Sequence, residues 1–105
     1  MAVCLLSIAR NHALLHTELV RTVLDASIAR ASNWAVTRNI VGRIDDTTYP
    51  TLYRRSTADA RNQLDDRLST WLCRHAKIDR SELDKRLSQE VETKLMAFKQ
   101  RQGEF

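Results

Sequence analysis

The sequence predicts an all-α protein, a small helical bundle of three main helices. Three observations point there. Only two glycines and one proline occur in 105 residues, too few turn-formers for a many-stranded sandwich or barrel. Apolar residues recur at helical spacing over long stretches. Asp79 is followed three residues later by Glu82, the signature of a capping box. The scarcity of glycine also excludes phosphate-cradling loops of the P-loop and dinucleotide-binding kinds.

Two composition breaks divide the chain. Asp45-Asp46-Thr47-Thr48-Tyr49-Pro50 gathers turn-prone polar residues around the one proline, and Ala76-Lys77-Ile78-Asp79 is a smaller break. The first helical segment runs from about Ala2 to Ile44. One stripe carries Leu15, Leu19, Val23, Ala26, Trp34, Ile40, Val41 and Ile44, continuing a run begun by Cys4, Leu5 and Ile8. It stays in phase through His16-Thr17, so one long helix is expected; a break there, with Thr17 as N-cap, is the alternative. A second stripe on another face carries Leu6, Ala13, Val20, Leu24, Ile28, Ala31 and Ala35. It is rich in small residues at near-heptad spacing. A helix apolar on two faces needs cover on both. A chain this short buries its core incompletely. The small-residue stripe is therefore expected to meet a second copy, completing the bundle as a homodimer.

The second segment runs from about Thr51 to Ala76 as one helix, with Pro50 in its first turn, where the missing N–H costs nothing. The third starts at the Asp79–Glu82 capping box, with Ile78 and Leu83 as its hydrophobic staple, and continues through Leu87, Val91, Leu95 and Phe98. Gly103 reads as a stop. Trp34, Leu64, Leu68, Trp71 and Leu87 are expected in the core of this single domain.

The charge balance is +4, from 17 Lys+Arg against 13 Asp+Glu, and thirteen of the basic residues are arginine. Arginine grips phosphate bidentately and stacks on bases. Arg54 and Arg61 flank one side of the second segment's apolar stripe, and Arg67 and Arg74 the other. With Lys77, Arg80 and Arg86 they are the candidate nucleic-acid contacts, placed to neutralise phosphates and release counterions. The favoured function is non-enzymatic binding of duplex DNA or RNA. The alternative is an interaction module, such as a viral or plasmid inhibitor or an adaptor subunit, that docks on a larger protein with the arginines as a polar rim.

Leu68 to Leu87 resembles a helix-turn-helix of the phage-repressor kind. Cys73, Ala76, Ile78 and Leu83 fall at its apolar or small positions, and Ser81 stands where such motifs place a polar reader. Lys77 replaces the usual turn glycine, and Asp79, Glu82 and Asp84 put negative charge on the would-be reading helix. Leu52-Tyr53-Arg54 is the tripeptide of the LYR family of mitochondrial helical adaptors, here preceded by about half the chain. In size, basicity and helical content the chain is similar to the small dimeric RNA-silencing suppressors of nodaviruses, with no motif in common.

Catalysis finds no support. The adjacent acids Asp45-Asp46 and Asp65-Asp66 diverge or are solvated, and no nucleophile elbow is present. His12 and His16 are spaced to share one helix face, but no third ligand is near in sequence, so no metal and no cofactor are expected. Cys4 and Cys73 read as buried, reduced thiols. The apolar opening stops at Arg10, too short for a secretory signal or a membrane span. The expectation is an intracellular protein.

Overall fold

The computed structural model describes residues 2–102, with side chains described from residue 15 onward. The described chain is helical with no strand, and it forms four helices rather than three. They are α1 (Ala2–Asn39), α2 (Tyr49–Gln63), α3 (Asp66–Ala76) and α4 (Arg80–Gln102). Helix α1 runs unbroken through Thr17. At 1.5 Å per residue it is about 57 Å long, against about 35 Å for α4.

The extra helix comes from a break inside the second segment. Leu64 is extended (φ −87°, ψ 103°) and Asp65 caps the next helix, its carboxylate accepting from the Leu68 N–H at 2.7 Å. An aspartate at an N-cap satisfies one of the orphan donors of the first turn. The corner also lets Leu64 and Leu68 both reach the core, Leu64 being buried and Leu68 packed against it. No glycine or proline marks this break. The capping preference of Asp65 was its only sequence signal.

The other boundaries follow local chemistry. Helix α1 ends at Asn39, and Gly42 beyond it takes a left-handed φ of 94°, a conformation that glycine adopts without strain. Asp45 then organises the approach to α2. Its carboxylate accepts from the Thr47 and Thr48 N–H groups at 2.9 and 2.8 Å, while the Thr48 hydroxyl accepts from the Asp45 N–H. The two backbone donors, Thr48 first, hold the Asp45 carboxyl below its ordinary pKa. Pro50 sits in the first turn of α2, as expected. Half of the expected capping box of α4 is seen: the Glu82 N–H donates to Asp79 Oδ1 at 2.8 Å, while the Glu82 carboxylate accepts from Arg86.

Helix α1 is the spine on which the other three pack. Helix α4 runs parallel to it. Asp25–Ala29 borders Arg86–Thr93, and the Gln102 side-chain amide pairs with both backbone groups of Ile44 just past the end of α1. Helix α3 runs antiparallel to α1, so that His75 near its end meets His16. Helix α2 runs antiparallel to α4, with Tyr49 near Glu92 and Lys99 and Arg61 at Asp84.

The core corrects the expected division of α1. Val20, Leu24, Ile28, Ala31 and Ala35, expected between copies, are buried within the single chain. The Leu6 and Ala13 side chains lie outside the described residues. The other stripe is split: Ile44 is buried and Val23 and Ile40 pack against the core, but Leu15 is 63% exposed, Leu19 59%, Trp34 39% and Val41 91%. The physical reason is size. Ala31, Ser32 and Ala35 let neighbouring backbones come close, and Ser32 turns its hydroxyl onto the Ile28 carbonyl at 2.6 Å. Bulky Leu19 and Trp34 would hold a partner helix away. Trp71, also expected inside, is 37% exposed, whereas Leu64 and Leu87 are buried as expected.

Helix α4 contributes Leu83, Leu87, Val91 and Leu95, all buried. Each is worth about 1.5–3 kcal/mol on burial. Its exposed ion pairs, Arg86–Glu82 and Lys94–Glu90, belong to a class worth about 0–1 kcal/mol, so packing holds this helix in place.

Two substitutions test this account. Lys77 closes α3 in the left-handed region, φ 56° and ψ 45°, and the Ile78 N–H returns to the Cys73 carbonyl at 3.1 Å. That geometry favours glycine, so Lys77→Gly is expected to raise unfolding free energy by about 0.5–1 kcal/mol in a urea titration. The Ser69 hydroxyl is buried without a hydrogen-bond partner. Ser69→Ala removes an unsatisfied polar group and adds helix propensity, and is expected to raise the thermal midpoint by several degrees.

Candidate nucleic-acid interface

The structure sorts the seven basic candidates into two groups. Three are engaged in ion pairs. Arg61 Nε lies 3.4 Å from Asp84 Oδ1, Arg80 lies 3.9 Å from Asp66 and 4.0 Å from Asp84, and Arg86 Nε lies 3.2 Å from Glu82. Among the described residues, Arg54, Arg67, Arg74 and Lys77 have no ion-pair partner.

The seven do not form one patch. Arg54 lies on α2, beside an open groove lined by Tyr49, Tyr53 and Arg61. Tyr49 and Tyr53 stack there with centroids 6.3 Å apart. Burial, with Glu92 nearby, pushes the Tyr49 phenol pKa up. Arg80 and Arg86 open α4, and the helix–turn–helix connectivity from α3 through Lys77–Asp79 into α4 is present. Its entry turn is neutralised, however, because Arg80 is held by Asp66 and Asp84. Arg67 and Arg74 stand exposed on α3.

Most of the acids are committed to helix starts or pairs; Glu18, Asp25 and Glu92 make no ion pair among the described residues. In each adjacent pair, one aspartate shapes a helix start and the other makes an ion pair. Asp45 organises the entry to α2 and Asp65 caps α3. Asp46 takes Lys99 at 2.9 Å, raising the lysine's pKa, and Asp66 takes Arg80. Asp79 caps α4. Asp59 accepts from the Asn39 amide at 2.8 Å. Glu82, Asp84 and Glu90 are spent on α4 ion pairs. Arg30, Arg67 and Arg74 make no ion pair among the described residues.

These free arginines gather around the two tryptophans. Both lie on the solvent side of the seam between α1 and α3. Trp34 lines a groove of about 790 Å³ together with Ser27, Arg30, Arg38, Gln63 and Leu68. The Arg38 guanidinium stacks over the Trp34 ring, 5.0 Å from its centroid, a cation–π contact. One helical turn beyond Leu68 is Trp71, tilted against the His75 ring at 4.6 Å. His75 in turn contacts His16 of α1.

The arrangement has a sequence signal that the core reading of the tryptophans passed over. Trp34 has arginine four residues to either side, at Arg30 and Arg38. Trp71 has Arg67 four residues before and Arg74 three residues after. On a helix these spacings place each tryptophan between two cations on one face. A core tryptophan rarely keeps such company.

No known protein family, curated protein or solved structure matches the chain. Among the described residues no helix is long and apolar enough to cross a membrane.

The exposure of the two rings is checked by fluorescence. In Trp34→Phe and Trp71→Phe variants, the remaining tryptophan is expected to be quenched readily by acrylamide in the folded state. A buried ring would resist quenching.

Proposed function

We propose that the protein acts without catalysis, by binding nucleic acid along the solvent side of the α1–α3 seam. The observation that carries this reading is the pairing of each half-exposed tryptophan with arginines that no acid neutralises. Arg30, Arg67 and Arg74 would neutralise phosphates and release counterions. Trp34 with its stacked Arg38, and Trp71, would offer flat faces to bases or sugars. The site is narrower than the sequence suggested. Arg67 and Arg74 remain from the original seven and Arg30 and Arg38 join them; Arg61, Arg80 and Arg86 are engaged in ion pairs, Arg54 lies apart on the α2 groove, and Lys77 sits in the turn after α3.

The test is a titration of labelled duplex DNA, duplex RNA and single strands at low and moderate salt. Affinity is expected to fall steeply with salt. Replacing both Arg67 and Arg74 by alanine is expected to lower the salt slope by about 2, close to one per lost phosphate contact. Lys85→Ala, on the exposed face of α4, is expected to leave the seam's contribution unchanged. Absence of binding to all three at physiological salt refutes the reading.

One observation favours docking on a protein instead. Leu15 and Leu19 are both more than half exposed, on the stretch of α1 that carries His16. With the two tryptophans they would make an apolar centre with an arginine rim. Loss of nucleic-acid binding together with retention of that surface in the fold would favour this second reading.

A further inference from the structure

We propose that His16 and His75 form a cross-helix site for a borderline divalent cation such as Zn²⁺ or Ni²⁺, clamping α1 to the end of α3. His16 Nε2 and His75 Nδ1 lie 3.4 Å apart although the two residues are 59 positions apart in the chain. Two imidazole nitrogens that share a tetrahedral zinc, each at 2.0–2.1 Å, are separated by about 3.3–3.4 Å. The two nitrogens therefore already stand at the spacing of a bidentate pair.

The surroundings suit an ion reached from solvent. His16 is exposed and His75 half-buried, so water can fill the remaining coordination positions. Among the described residues no third histidine, cysteine or acid completes the set. Cys73 is two residues from His75 and so projects from a different side of α3. The rings are already oriented: they meet edge-to-face at 5.3 Å, and Trp71 braces His75 from its other neighbour side at 4.6 Å. Bracing reduces the ordering an ion would otherwise have to impose. The site does not depend on the nucleic-acid reading, since neither histidine is asked to touch phosphate there.

Trp71 supplies a local reporter. The experiment titrates Zn²⁺ by calorimetry and Ni²⁺ by tryptophan fluorescence into the full chain, the latter in a Trp34→Phe background so that only Trp71 is read. One Zn²⁺ per chain is expected, with a rise in thermal midpoint. His16→Ala and His75→Gln are each expected to weaken binding at least about tenfold, the scale on which even an outer-shell partner matters. Both are expected to abolish the Ni²⁺ quenching while leaving the helical circular dichroism unchanged. No binding at millimolar ion overturns the proposal. So does binding that survives His75→Gln but is lost in His12→Ala, which would assign the ion to α1 alone.

Discussion

Packing of α2, α3 and α4 onto one small-residue stripe of α1 is the constraint on which the structure depends. Leu24, Ile28, Ala31 and Ala35 share one buried core cluster with residues of α2, α3 and α4. Alanine and serine at the crossing let backbones approach, and the large aliphatic residues of α4 fill the space so created. Val20 is the first buried residue described; Leu15 and Leu19 before it are exposed, and His16 reaches His75 of α3 at the surface.

The same constraint distributes the charge. Holding three short helices against one long one requires three helix starts close to the core. Asp45, Asp65 and Asp79 serve those starts. Further acids bind the arginines nearest the α2–α4 contact. A modest net charge is thereby separated into a neutralised interior side and a seam of free arginines. The unpaired arginines of that seam follow from where the acids were needed, more than from the number of basic residues.

Much of the fold was legible. The α1 helix, the Pro50 start of α2, the turn at Ala76–Asp79 and the Asp79 cap of α4 all rest on contacts within a few residues, so their signals are local. The Leu64–Asp65 corner was harder, because an aspartate inside a helical pattern usually faces solvent and becomes a cap only when the chain must turn. The candidate site was half legible. Arg67 and Arg74 were visible as flanking residues. Arg61 and Arg80 looked identical to them, since Asp84 and Asp66 reach them across helices, whereas the pairing of Arg86 with Glu82, one turn away on the same helix, was open to sequence reasoning.

The sequence by itself determined that the chain is helical, and where most of its helices begin, because periodicity and caps act over one or two turns. It also determined that α1 has two apolar faces. Only the tertiary structure decided which face goes inside. That choice turns on how closely helix backbones can approach, a property of facing pairs that neither partner shows alone. It buried the alanine stripe and left Trp34 and Trp71 at the surface beside their arginines. It brought His16 within 3.4 Å of His75 as well, across a separation in sequence that no local pattern could bridge.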